Sequence, residues 1–391
     1  MEEKKLKVIY AHPSQLSYRW LNNYCLDELK DVFDIEYWDC SSIVYPNFKA
    51  PVIPERSYNI IIKNEAEFDE RLSKLPKDAL KIVDFSATEE NMNICRKIAR
   101  HSNIWIFINC FAAGEVMSLP QKSFIQKLIS KDVVKRIERK IKYFVVDKGK
   151  NKKKGEEFEA SLKYYLITSI KSDKYSLRIN HPDYERYRNS IKEPSLFKGE
   201  RYVVYIDNNF PMHPEIKKRE PYLNVDKISP IFYSSLNKFF DRIEEKYKCK
   251  VKIAGHPVAV NCDNRFGGRE ILYDKTVELV KDALAVCIHT SNAFSYVVLF
   301  NKPVALLYNS VYTQAKIEYG RLQGEAQRLR LPLVNTDDPL PEQGSVFSRL
   351  DKDIADNYKA TYLIADPTQT NAQLYTKIFH EIYNDWQNPK H

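Results

Sequence analysis

The feature that most restricts this chain is a rhythm. Short apolar runs are closed by small polar residues and followed by segments with helical spacing. In ELVKDALAVCIHTSNAFSYVVLFNKPVALLYN, Glu278 to Asn309, the apolar run Ala283–Ile288 leads directly into His289, Thr290, Ser291 and Asn292. A helix-spaced segment then reaches Lys302-Pro303, and a second apolar run, Val304–Leu307, follows. Runs without polar alternation suit strands buried on both faces, and such strands alternate with helices in parallel βαβ units.

The rhythm occurs in two series. The first opens with Leu6–Tyr10 and helical spacing through Trp20, Leu21, Leu26 and Leu29. IEYWDCS, ALKIVDFSA and NIWIFINCF read as further strands, and NMNICRKIARH as a helix. The lysine-rich Lys148–Lys154 interrupts it, and INHPDYERYRNSIKEPSLFKGE reads as an inter-domain connection. The second series holds the strands RYVVYIDNN, CKVKIAGHP, LAVCIHTSN and KPVALLYN, with SSLNKFFDRIEEKYK, TVELVKDA and AFSYVVLFN as helices. Leu374, Ile378, Ile382 and Trp386 mark one face of a closing helix. A chain of 391 residues also exceeds one ordinary core. The expectation is an α/β protein of two doubly wound, Rossmann-like domains facing across a cleft. Residues 1–190 form the N-terminal domain and 191–370 the C-terminal one, with a helix in 371–391 packing back on the first.

Ligands of open parallel sheets bind outside the carboxyl ends of the strands, where the next helix presents free amides. HTSNA therefore reads as a phosphate cradle built from Thr290, Ser291 and Asn292, although Ser291 or Asn292 could equally be a plain helix cap. Gly255, His256 and Pro257 close the preceding strand, with Gly255 permitting close approach and Pro257 fixing the exit. Asp207, Asn208 and Asn209 close another, and His12 and Pro13 close the first strand of the chain. The tips bearing His256 and Ser291 are expected to lie side by side and grip one anionic group.

Composition narrows the field. The chain is 43% hydrophobic and 29% charged, as folded proteins are, and no apolar run approaches the ~20 residues of a spanning helix. The N-terminus is not a signal peptide, which suggests a cytoplasmic protein. Seven cysteines without CxxC or zinc spacing predict neither a metal nor a disulfide framework. GxGxxG, Walker, GxSxG and HExxH patterns are absent. The net charge of +9 is concentrated around Lys122–Lys154, a solvated face or a contact for an anionic membrane. Aromatic residues do not interleave with it, which argues against nucleic acid.

The succession IAGHP, FGGREI and TVELVKDALAVCIHTSNAFSYVVLFNKPVALL resembles the HP and Ser/Thr motifs of GT-B glycosyltransferases of bacterial surface-polysaccharide pathways, namely sialyltransferases and related Kdo and capsule transferases. It spans about Arg201 to Asn309, while the N-terminal half shares only the βα rhythm. The resemblance implies a GT-B-like fold and metal-independent transfer of a nonulosonic acid or Kdo from a CMP-linked donor to a glycan or lipid-linked glycan acceptor. It implies that His256 contacts the nucleotide phosphate or ribose and that Ser291, with Thr290 and Asn292, holds the phosphate. Arg269 is a candidate partner for the sugar carboxylate. The acidic motif that supplies the general base in the sialyltransferases is missing. Asp207, similar in position to an aspartate of retaining Kdo transferases, and Glu115 in CFAAGEV are the candidate catalytic carboxylates. The rival readings are an enzyme of UDP- or other NDP-sugars, transferase or epimerase, and a basic nucleic-acid-binding protein.

Overall fold

The computed structural model describes residues 5–44, 54–84, 89–101, 105–108, 164–167, 176–256, 259 and 264–388. The chain forms two compact units that divide at Pro182/Asp183 and again at Ile364/Ala365.

The first unit holds β1 (Lys7–His12), β2 (Asp34–Asp39), β3 (Asn59–Ile61), β4 (Leu80–Asp84), β5 (Trp105–Ile108), β6 (Tyr164–Ile167) and β7 (Ser176–Arg178). They lie in the order β3-β2-β1-β4-β5-β6-β7, every described pair parallel. The helical spacing after β1 yields two short helices, Tyr18–Tyr24 and Leu26–Leu29, because Cys25 between them is left-handed at φ 52°. The closing helix Asn371–Gln387 begins in a capping box of Thr370 and Gln373 and belongs to this unit. Its Phe379 meets Phe33 edge-on at 5.5 Å, and the Tyr375 hydroxyl donates to the Asn23 carbonyl at 3.1 Å. Buried Asn180 secures this return, accepting from the amides of Ala365 at 2.8 Å and Asp366 at 3.0 Å.

The second unit contains β8 (Tyr202–Ile206), β9 (Lys250–Gly255), β10 (Ile271–Tyr273), β11 (Val286–Ile288), β12 (Val304–Tyr308) and β13 (Leu333–Asn335). Their order is β10-β9-β8-β11-β12-β13, again with every described pair parallel. Tyr202–Ile206 is buried throughout, as its β-branched and aromatic sequence requires of a central strand. Helix Val225–Tyr247, capped by the Asn224 side chain, covers the sheet with Phe232, Leu236, Phe239, Phe240 and Ile243. Each such buried side chain contributes roughly 1.5–3 kcal/mol.

The expected class, two doubly wound Rossmann-like domains as a GT-B-like chain requires, is the one observed. Three local readings change. Pro182–Ser190, read as a connection, is a helix that belongs to the second unit from Asp183 on. Its Asp183 accepts from the hydroxyls of Ser295 and Tyr296, which ties the first turn to that unit's sheet helix. The edge strands β3, β10 and β13 are three residues each, too short for a periodic signal. Finally, β9 and β11 do not adjoin, since β8 lies between them. The tips bearing His256 and Ser291 are thus two strand spacings apart, on the order of 10 Å.

Candidate functional site

The second sheet reverses its winding between β8 and β11: the chain builds β9 and β10 on one side of β8, then crosses to place β11 on the other. Such a reversal opens a crevice at the strands' carboxyl ends, because the flanking connections leave toward opposite faces. The residues that follow β8 and β11 are Asp207–Asn209 and His289–Asn292.

The loop after β8 joins its neighbours into one rim. The Asp207 carboxylate accepts from the Asn209 amide at 2.8 Å, and the backbone of His256 at the end of β9 lowers its pKa. On the other side, the Asn208 side-chain amide donates to the Thr290 carbonyl at 3.5 Å, at the limit of a hydrogen bond. Asn209 is left-handed at φ 55°, a conformation asparagine tolerates better than most residues. Its carbonyl accepts the His213 amide at 2.8 Å, and the rings of His213 and His256 meet edge-on with centroids 5.0 Å apart. These contacts link three strand ends without bringing β9 and β11 together.

Asp207 is 3% exposed, and burial raises its pKa above the ordinary aspartate value against the lowering effect of the Asn209 amide, Arg265 and the His256 amide. Its Oδ1 serves the loop, while its buried Oδ2 has no partner. Asp207 thus holds the loop after β8 through its Oδ1. Thr290 also turns inward, its hydroxyl 3.1 Å from the Tyr312 hydroxyl and 3.4 Å from Glu318 Oε2. Ser291 Oγ accepts the Ala293 amide at 3.2 Å, ahead of the helix Phe294–Leu299, and Asn292 is exposed. His289 is a core residue. It is 1% exposed among Tyr205, Phe232 and Tyr312, its Nδ1 lies 3.2 Å from the Tyr205 hydroxyl, and burial depresses its pKa to about 3.

Gly255 has a structural reason. A Cβ there would stand 2.6 Å from Tyr273 Cε1 and 2.8 Å from Ile271 Cγ2, so the glycine admits the side chains of neighbouring β10. Arg269 is committed to carboxylates, donating to Glu244 Oε2 and Asp241 Oδ1 at 2.6 Å each. Four residues earlier stands Arg265. Its Nη1 donates to Asn209 Oδ1 at 2.9 Å and to the Tyr233 hydroxyl at 2.8 Å, while its buried Nε and Nη2 have no partner. Sequence reasoning passed over Arg265 because it belongs to no motif. Its position ahead of the Gly267-Gly268 turn was the one visible cue. Glu115, Pro257 and Lys122–Lys154 lie outside the described residues.

In the first unit the winding reverses between β1 and β4. There His12 is buried, with Nδ1 accepting the Ser14 amide at 3.0 Å and its ring 4.2 Å from that of Trp20. Among the described residues no group of three or more metal-ligating side chains converges, and no helix is long and apolar enough to cross a membrane.

No family model and no curated protein matches the sequence. Among solved structures, similarity is found at low identity. A UDP-GlcNAc 2-epimerase from Methanocaldococcus jannaschii is 9% identical, with 96% of this chain and 100% of that chain covered and a TM-score of 0.45. A putative UDP-N-acetylglucosamine 2-epimerase from Listeria monocytogenes is 8% identical over 99% and 98%, at 0.46. The wall teichoic acid polymerase TagF is 8% identical over 97% and 90%, at 0.47. Likeness of this degree carries no information about the substrate of this chain.

Proposed function

We propose that the protein is an enzyme of nucleotide-activated sugars that holds the nucleotide's phosphate end at the rim between β8 and β11. The observation that supports this most is that the loop after β8 touches the ends of both β9 and β11, through the His213–His256 rings and the Asn208–Thr290 bond, at the point where the sheet reverses its winding. The rim carries neutral donors and a half-buried guanidinium, and Asp207, its carboxylate, is turned into the loop. That balance suits a polyanionic ligand.

Glycosyl transfer is the reaction this arrangement suits. As the bond from sugar to phosphate breaks, negative charge grows on the leaving phosphate, and fixed donors around it lower the barrier because they need no reorganisation. The Asn208 side chain is fixed by accepting the Phe210 amide at 3.2 Å and donating to the Thr290 carbonyl, which is the rigidity such stabilisation needs.

The motif resemblance favours a CMP-linked donor with a surface glycan as acceptor. A UDP- or other NDP-sugar, used by a transferase or an epimerase, is the second reading. It is favoured by the breadth of the rim, since a span on the order of 10 Å accommodates two phosphates. Isothermal titration of the full-length protein with CMP, CDP, UDP and GDP separates the two. Preferential binding of CMP supports the first reading, and preferential binding of a diphosphate supports the second. Absence of binding by any nucleotide would overturn both.

A further inference from the structure

We propose that Arg265 is the anion anchor of this rim, its Nε–Nη2 edge taking one phosphate of the nucleotide in a two-pronged hydrogen bond. This rests on the reading of the rim as a nucleotide-sugar site and names the residue that recognises the anion.

A guanidinium has five donors in a rigid plane, and among the described residues only Nη1 of this one finds acceptors. Nη1 is fixed by Asn209 Oδ1 and the Tyr233 hydroxyl. The Tyr233 hydroxyl in turn donates to the Phe210 carbonyl at 2.9 Å, so the anchor is braced through a second bond to the β8 loop. The cation lies 5.2 Å from the Tyr233 ring centre and 5.9 Å from that of Phe266, which limits its movement. Buried donors without acceptors are costly in a fold, and more so when charged.

Other arginines of the unit show what a structural role looks like. Arg269 bonds two carboxylates and Arg219 pairs with Glu318 at 2.9 Å. Arg242 and Arg328 each leave a single buried donor, Nε, without a partner. Among the described residues, Arg265 is the one arginine with both Nε and Nη2 buried and unpartnered, and these are the adjacent donors that match two oxygens of a phosphate. Asp207 attracts the guanidinium by charge, and no hydrogen bond joins them.

The sugar's own carboxylate would present the same pair of oxygens, so the test includes it. Isothermal titration of the full-length protein uses UDP, CMP, the nucleosides uridine and cytidine, inorganic pyrophosphate and free N-acetylneuraminate. The variants are Arg265→Gln, Arg265→Lys, Tyr233→Phe and, as a control, Arg269→Lys, each checked by its melting curve.

The expected result is a loss of roughly 10- to 100-fold in nucleotide affinity for Arg265→Gln. Arg265→Lys is expected to show most of that loss, because lysine lacks the fork, and Tyr233→Phe a smaller one. Binding of the nucleosides, which lack phosphate, and of UDP to Arg269→Lys should be unaffected. If only N-acetylneuraminate depends on Arg265, the edge belongs to the sugar carboxylate and the phosphate anchor is overturned. If the folded wild type and Arg265→Lys bind every anionic probe equally, Arg265 is not the anchor, while nucleotide binding by both keeps the wider reading. If the wild type binds no nucleotide, the wider reading fails and pyrophosphate alone decides. Binding that depends on Arg265 sustains the anchor, and absence of binding overturns it.

Discussion

Arg265 donates to Asn209 Oδ1 at 2.9 Å, and Asn209 is itself held at φ 55°. The strained loop after β8 and the guanidinium therefore stabilise one another. Two substitutions separate the contributions. Asn209→Gly keeps the left-handed backbone and removes the bond, whereas Asn209→Ala removes the bond and adds the conformational penalty of about 1–2 kcal/mol. Urea unfolding should find Asn209→Ala less stable than Asn209→Gly by about that amount, with both variants binding nucleotide more weakly than wild type. Equal stability of the two would mean that the loop is not held in this conformation.

Gly255 was expected to bring the backbone close to a ligand, yet its neighbour is Tyr273. Gly255→Ala should therefore destabilise the protein by about 1–3 kcal/mol, as overpacking does. Adding Tyr273→Leu should recover part of that loss, because the two positions share one space. Thermal melts of the two single variants and the double variant test this. Strict additivity would contradict the packing account.

Two buried groups of the second unit give stability opposite dependences on pH. Burial depresses His289 from an ordinary 6.5 to about 3, so its contribution is present above 6.5 and is lost as pH falls toward 3. Burial pushes Glu325 up from 4.5 to about 7, so its contribution is present below 4.5 and is lost as pH rises through 7. Between the two ordinary values the slopes oppose one another, each up to about 1.4 kcal/mol per pH unit. Glu325→Gln should make stability climb with pH across that window, and His289→Phe should make it fall. Chemical unfolding at half-unit steps measures both, and slopes of the same sign would contradict the assignment.

The rhythm of apolar runs carried the architecture because a central parallel strand is buried on both faces. Tyr202–Ile206 and Val304–Leu307 leave no other place for their side chains. The same physics hides the edges. Ile271–Tyr273 is a strand through its pairing with β9, and three residues are too few to show a period. The order of strands is equally silent in the sequence, which is why β8 between β9 and β11 was not foreseen. At the rim, residue types pointed to the right loops but not to roles. Thr290 faces inward to Glu318, and Arg269 pairs with Glu244 and Asp241. Arg265, without a motif around it, became visible only through the partners it has and those it lacks.

The central claim is that a nucleotide's phosphate end lies at the reversal between β8 and β11. A crystal structure of the full-length protein soaked separately with CMP and UDP tests it most directly. The account predicts phosphate oxygens within hydrogen-bond distance of at least two of Asn208, His256, Arg265 and Ser291. A nucleotide bound with its phosphates elsewhere, or no bound nucleotide at millimolar concentration, would contradict it.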